Sequence, residues 1–98
     1  MEAEQIVWTR RASIQFENAQ NHIAKEAPFA ANAFVDRVLE LVDELLRYPE
    51  IGRMIPEYGN PRFRERVFGH YRLMYTVEEK TVRIMALFHD ARELPVQL

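Results

Sequence analysis

The chain has 98 residues, enough for one domain with a single core, and its 48% hydrophobic and 11% aromatic content is that of a folded protein. Cysteine is absent, which excludes disulfides, thiolate catalysis and cysteine-bound metal. The formal charge of −2 gives no sign of a general affinity for nucleic acid. No apolar stretch approaches the roughly 18 residues of a membrane span, and none follows the acidic N-terminus, so we expect a soluble, cytoplasmic protein.

Two amphipathic helices are predicted in the first half of the chain. Thr9 is a suitable N-cap for the first helix, whose apolar stripe recurs every three or four residues at Ala12, Phe16, Ala19, Ile23 and Ala27. Pro28 begins the second helix, whose stripe is Ala31, Phe34, Val35, Val38, Leu41, Val42 and Leu45. Pro49 ends this helix near Tyr48, and residues 50–63 are predicted to form a long loop.

The second half of the chain changes to the period-2 alternation of β-strands. Strands are predicted over residues 64–68, 71–77 and 81–89, and a further short strand over residues 5–8. Gly69 suits a type II′ hairpin turn that places Phe68 opposite Tyr71. The sequence therefore predicts a single two-layer α+β domain over residues 1–98, in the order β-α-α-β-β-β, with a helical hairpin on one face of a mainly antiparallel sheet of four strands.

Strict alternation divides the predicted sheet into two faces. The face against the helices is expected to carry Phe68, Tyr71, Leu73, Tyr75, Val77, Val82, Ile84, Ala86 and Phe88. The opposite face is expected to carry Glu65, Val67, Arg72, Met74, Thr76, Arg83, Met85, Leu87 and His89. On it, Val67, Met74, Met85 and Leu87 form an apolar patch with a charged rim, which predicts a partner-binding surface. The alternative is that residues 90–98 fold back over this patch.

Several runs of the sequence resemble the RelE/ParE superfamily of type II toxin-antitoxin toxins. They are residues 64–77, residues 82–92, the segment 48–53 (YPEIGR) and Trp8-Thr9, which resembles the opening strand of the family. The resemblance covers nearly the whole chain and implies the fold derived above. It also implies a bacterial toxin that is held inactive by a cognate antitoxin, whose flexible C-terminal segment wraps the toxin. The predicted patch then supplies the expected contacts with the antitoxin, which are Val67, Met74, Met85 and Leu87.

The superfamily contains two activities. RelE-like toxins cut mRNA on the ribosome, often through lysines, whereas ParE-like toxins are not nucleases and poison DNA gyrase. Lys25 and Lys80 lie far from the predicted free face. A second nuclease pattern in the superfamily uses glutamate, arginine and histidine, and resembles Glu65, Arg72 and His89, with Asp90 in place of the usual tyrosine.

The chemistry of this trio is plausible for RNA cleavage. The carboxylate can take the 2′-hydroxyl proton, the guanidinium can neutralise the phosphorane and the imidazole can protonate the leaving oxygen. The alternative is a polar cluster across the strands that satisfies itself or holds the antitoxin.

The missing lysines, Asp90 and the negative charge favour a ParE-like inhibitor whose partner is DNA gyrase. The alternative is an mRNA endonuclease whose partners are the ribosome and mRNA. A third hypothesis is a degenerate toxin that is kept as a binding module. Candidate target-binding residues are Arg64, Arg66, Arg72 and His89. The arginines near the long loop are either solvated charges or candidates for holding an acidic partner; they are Arg53, Arg62, Arg64 and Arg66. Met54 and Ile55 either form an exposed anchor or pack against the sheet edge. No cofactor is expected, and no metal, because the three histidines share no ligand spacing.

Overall fold

The computed structural model describes residues 2–90, and the predicted return of residues 90–98 over the sheet falls almost wholly outside them. Two helices and five strands follow one another in the chain. They are β1 (Gln5–Trp8), α1 (Arg10–Ala24), α2 (Pro28–Arg47), β2 (Arg53–Met54), β3 (Arg64–Phe68), β4 (Tyr71–Glu78) and β5 (Thr81–His89). The two-layer α+β prediction is confirmed, with one strand more than expected.

Both helices begin where their capping residues predict. The Thr9 side chain accepts a hydrogen bond from the Ala12 backbone N–H at 3.1 Å, and Pro28 is the first residue of α2. The apolar stripes of both helices pack on one face of the sheet, where Val38 and Leu45 of α2 are completely buried against strand residues. This helix-side core holds the two layers together.

The sheet is mixed, in the strand order β1-β5-β4-β3-β2. β1 pairs in parallel with β5, and every other pair is antiparallel. The predicted hairpin register is confirmed, since Phe68 pairs with Tyr71 and Gly69 has the positive φ, 56°, that the turn requires. The one strand that was not predicted from the sequence is β2, which has two residues and pairs Arg53 with Glu65.

A β-bulge in β5 overturns part of the predicted division into faces. Tyr75 pairs with Ile84 but its neighbour Met74 pairs with Ala86, so Met85 is an extra residue on β5. The bulge is held by α1 and its cap: the Thr9 hydroxyl donates to the Met85 carbonyl at 3.3 Å, and the Leu87 N–H donates to the side chain of Gln15 at 2.8 Å.

The extra residue reverses the alternation beyond it. Leu87 therefore joins the helix-side core, whereas Ala86 and Phe88 lie on the opposite face. The ring of His89 contacts Tyr71, a residue packed against the helix-side core, so His89 is also on the helix side. The predictions for these four residues were wrong, because a single inserted residue exchanges the faces of everything that follows it on a strand.

The face opposite the helices is covered by residues 55–63, which we call the strap. Ile55 is completely buried against Met74, Ala86 and Phe88, with Tyr58 and Phe63 of the strap packed on the same cluster. Of the two predictions for the loop, packing against the sheet is therefore correct for Ile55, while Met54 remains 43% exposed.

The strap also removes the predicted apolar patch. Met74 and Leu87 are completely buried, on opposite faces, and Met85 is half-buried in the bulge. Only Val67 of the four patch residues is well exposed. The continuous exposed surface expected from Val67, Met74, Met85 and Leu87 does not exist among the described residues, because the strap covers Met74 and the bulge turns Leu87 toward the helices.

Candidate functional site: an ion network beneath the strap

Four charged side chains form a chain of ion pairs on the strap side of the sheet. Arg72 Nη1 and Nη2 donate to the two carboxylate oxygens of Glu57 at 2.6 and 2.7 Å. Arg72 Nε donates to Glu65 Oε1 at 2.6 Å, and Arg53 Nε donates to Glu65 Oε2 at 2.7 Å. We call Arg53, Glu65, Arg72 and Glu57 the ion network; both oxygens of each carboxylate are engaged within it.

The strand register brings these residues together. Glu65 pairs with Met74 and Arg72 pairs with Val67, which makes Glu65 and Arg72 diagonal neighbours on one face of the β3-β4 hairpin. Arg53 reaches Glu65 because β2 pairs with β3 at that position. The Arg72 guanidinium carbon also lies 5.6 Å from the centre of the Phe88 ring, in a cation-π contact.

The segment before β2 is fixed by a buried tyrosine. The Tyr75 hydroxyl donates to the Pro49 carbonyl at 2.7 Å and accepts from the Gly52 N–H at 2.9 Å. Burial raises the pKa of Tyr75 above its ordinary value, so the hydroxyl keeps its proton for this bond. Tyr75 thereby sets where Arg53 meets Glu65.

Burial within the ion network decreases from its centre outward. The Glu65 side chain is fully buried and that of Arg72 is about nine-tenths buried, whereas the side chains of Glu57 and Arg53 are 47% and 63% exposed. The hydrogen bonds from Arg72 hold the pKa of Glu57 well below its usual range, at about 2, and Glu57 in turn raises the pKa of Arg72. Two positive and two negative charges therefore neutralise one another.

Glu57 should make the free energy of unfolding decrease at acidic pH. Its pKa falls from 4.5 to about 2 on folding, so its contribution is complete above pH 4.5 and is lost as the pH decreases toward 2. Because water screens this half-exposed carboxylate, we expect a loss of only about 1 kcal/mol. Urea unfolding of the wild type and Glu57→Gln at about pH 6 and about pH 3 measures it. The stability difference between the two proteins should shrink at the lower pH, and a constant difference would contradict the assignment.

The predicted trio of Glu65, Arg72 and His89 is not brought together. Glu65 and Arg72 are joined as expected, but the bulge places His89 on the helix side, where it stacks on His70 with ring centres 5.6 Å apart. Its Nδ1 lies 4.0 Å from the Asp90 carboxylate. His89 also lines a cavity of about 320 Å³, together with Gln15, Asn18, Ala19, His22, Tyr71, Leu87 and Phe88.

The two remaining target-binding candidates lie on β3. Arg64 Nη1 donates to the Gly52 and Glu50 carbonyls at 2.9 and 3.3 Å, and Arg66 Nη1 donates to Glu44 Oε2 at 3.2 Å. Arg64, Arg66, Arg72 and His89 therefore do not form one cluster in this structure. The sequence also missed Glu57, because an acidic residue in a Pro- and Gly-containing loop carries no signal of an ion pair.

An exposed apolar edge adjoins the ion network. Ile51 and Val67 line one groove of about 290 Å³ with Arg53 and Arg66, and Ile51 lines a second groove of about 480 Å³ with Tyr48. We call Tyr48, Ile51 and Val67, all about half exposed or more, the β3 edge. Because Phe68 and Tyr71 flank a two-residue turn, the Val67 backbone N–H and C=O point away from β4, and no described strand continues opposite them.

Comparison with known proteins identifies the family. Residues 6–94 match the sequence profile described as the ParE toxin of the type II toxin-antitoxin system parDE. The chain belongs to the ParE toxin family. It is therefore a toxin of a type II toxin-antitoxin system, and the resemblance to the RelE/ParE superfamily is confirmed. No curated protein sequence matches the chain.

Solved structures with the same fold include chains of a ParDE system and of a RelBE2 complex. The chromosomal ParDE system from P. aeruginosa matches with a TM-score of 0.73 at 20% identity, over 89% of this chain and 96% of that chain. The RelBE2 toxin-antitoxin complex from Mycobacterium tuberculosis matches with a TM-score of 0.60 at 21% identity, over 91% of this chain and 99% of that chain. These likenesses establish the fold of this ParE-family toxin.

Neither a metal site nor a membrane-crossing helix is found in residues 2–90 of this toxin. Within residues 2–90, no three His, Asp or Glu side chains converge in a way that suits a metal ion. Neither α1 nor α2 combines the length and apolar character that a membrane crossing requires.

Proposed function

We propose that this toxin acts as a ParE-type inhibitor of DNA gyrase in the bacterial cytoplasm and is neutralised by a cognate antitoxin. The observation that carries the proposal is the state of the predicted nuclease trio. Glu65 is fully buried with both carboxylate oxygens in ion pairs, and His89 lies on the other side of the sheet. A protein target places no demand on either residue to transfer protons.

A nuclease built on Glu65 would need a different arrangement. A general base has to come within hydrogen-bond reach of the substrate hydroxyl, but the Glu65 carboxylate is fully buried and both of its oxygens already accept from Arg53 and Arg72. Arg72 is likewise not available to neutralise a phosphate, because its guanidinium is already paired with Glu57. The net charge of −2 supports the same choice, since ribosomal RNA attracts basic proteins.

Expression of the toxin without its antitoxin tests the proposal in cells. We expect wild type and His89→Ala to induce a DNA-damage reporter equally, because His89 transfers no proton in gyrase inhibition. Glu50→Ala, at an exposed loop residue outside the ion network, is the matched surface control. Ribosome-dependent mRNA cleavage that falls at least about a hundredfold in His89→Ala, with no damage signal, would establish the nuclease alternative instead.

We infer that the antitoxin contacts the β3 edge rather than the buried patch. Ile51 and Val67 are exposed, and the Val67 backbone groups, which face no other strand within residues 2–90, suit pairing with an extended segment. Within residues 2–90, two nearby guanidiniums have no carboxylate of their own, since Arg64 binds the Glu50 and Gly52 carbonyls and Arg53 shares Glu65 with Arg72. An extended antitoxin segment with apolar and acidic residues complements this edge.

Charge substitutions test the β3 edge. Ile51→Glu and Val67→Glu should each weaken binding of the co-encoded antitoxin by at least about thirtyfold, because each places a charge in the apolar contact. Leu39→Glu, at an exposed apolar position on α2, is the control and should bind normally. Isothermal titration calorimetry gives the affinities. Unchanged affinity in both edge variants would place the antitoxin elsewhere.

A further inference from the structure

The carboxylate of Glu57 occupies the outermost position of the ion network. It is half exposed, whereas the Arg72 side chain that it neutralises is about nine-tenths buried. Its two oxygens meet the two terminal nitrogens of Arg72 at 2.6 and 2.7 Å, the planar fork geometry with which arginine recognises carboxylates. A ligand that approaches this face of the protein therefore meets Glu57 before Arg72.

Removal of Glu57 leaves a site that requires an anion. The remaining network has two guanidiniums, Arg53 and Arg72, but only the Glu65 carboxylate between them. The resulting positive charge lies partly out of water, where an uncompensated charge is costly. The low pKa of Glu57 reflects the same preference for a negative group at this position.

Contacts other than the Glu57 ion pair also hold the strap in position. Ile55 donates its N–H to the Phe63 carbonyl at 3.0 Å and is itself completely buried, and the Gly59 N–H bonds to the Ile55 carbonyl at 3.1 Å. Rotation of the Glu57 side chain alone would open the outer side of Arg72. The strap also buries the Tyr58 hydroxyl without a hydrogen-bond partner among the described residues, so its closed packing is not fully satisfied.

We propose that Arg72 and Arg53 form a carboxylate-binding site that Glu57 fills in the free toxin and that an acidic side chain of a bound polypeptide fills after displacing Glu57. The exchange replaces one carboxylate by another, so the buried guanidinium is never left unpaired. The fork of Arg72 holds a carboxylate in this structure, and the acidic chain as a whole disfavours a polyanion such as nucleic acid.

Chemical rescue of Glu57→Ala in the full chain tests the site. Acetate restores the missing carboxylate, acetamide is its neutral counterpart, and inorganic phosphate is the competing oxyanion, all compared at equal ionic strength. At about 0.1 M acetate we expect the melting temperature of Glu57→Ala to increase by about 3–6 °C, through preferential binding to the folded state. The wild type and Glu50→Ala, which keep Glu57, should respond little.

Each other result overturns the proposal. Equal responses to acetate and acetamide, or equal responses in wild type and Glu57→Ala, mean that no carboxylate site exists. A larger response to phosphate means that the site suits nucleic acid instead. If Glu57→Ala does not fold, the refolding yield of this variant in acetate and the melting temperature of Glu57→Gln replace the first readout, with the same comparison.

A second arm, which rests on the proposed antitoxin partner, identifies the source of the carboxylate. Without Glu57 to displace, Glu57→Ala should bind the co-encoded antitoxin about tenfold more tightly than wild type does. Rescue by acetate with unchanged antitoxin affinity would overturn the assignment of the antitoxin as the carboxylate donor, and would leave both the anion site and the gyrase proposal standing.

Discussion

Replacement of Arg72 by leucine should lower the free energy of unfolding by about 3–5 kcal/mol, because it leaves the fully buried carboxylate of Glu65 with only the exposed Arg53 as a partner. It also frees Glu57 and removes the contact with the Phe88 ring. Urea denaturation at neutral pH measures the loss. Arg47→Leu breaks an exposed ion pair with Asp43 and is the control, with an expected change below about 0.5 kcal/mol.

The double variant Arg72→Leu/Glu65→Leu separates the ion pair from simple packing. With both buried charges replaced by apolar side chains, the double variant should be more stable than Arg72→Leu alone, because no unpaired charge remains in the core. A double variant that loses the sum of the two single losses would show that the residues contribute through packing and not through their mutual interaction.

Substitution of Gly52 by alanine should cost about 2–3 kcal/mol of unfolding free energy through overpacking. A Cβ at this residue would lie 2.6 Å from the Tyr75 hydroxyl oxygen and 2.7 Å from the Glu65 backbone carbonyl oxygen. Because Tyr75 is completely buried and bonded to the Gly52 N–H and the Pro49 carbonyl, neither side can move without loss of a hydrogen bond.

Gly59→Ala is the matched control for Gly52→Ala. Gly59 has a positive φ of 58° but no atom within 4 Å of the added carbon, so its replacement costs only the backbone strain, about 1 kcal/mol. Thermal unfolding of the two variants provides the comparison. Equal losses would show that the space around Gly52 is not what requires glycine there.

The helices and the first hairpin could be predicted because local signals specify them. Thr9 and Pro28 mark the two helix starts, the apolar stripes repeat with the helical period, and Gly69 supplies the positive φ of the turn. The family resemblance agreed with this order of elements. These features depend on neighbours in sequence, which is why the amino-acid pattern contains them.

The candidate site was only partly predictable because tertiary contacts create it. Residues 82–88 are mostly apolar on both sides of Met85, so the sequence does not show that a bulge exchanges the faces there. The strap lacks any period, and its burial of Ile55 follows from the three-dimensional path of residues 55–63. The pairing of Glu65 with Arg72 was foreseen from alternation, whereas the contribution of Glu57 required the structure.

The most direct test of the account is a DNA supercoiling assay with purified gyrase and purified toxin, run beside an assay of ribosome-bound mRNA cleavage. We predict that wild type and His89→Ala inhibit supercoiling to the same extent. Both should leave the mRNA intact, because Glu65 is buried in the ion network and His89 lies on the opposite face of the sheet, so the two cannot act together as general base and general acid. Cleavage of the mRNA that is lost in His89→Ala, with gyrase unaffected, would contradict the account.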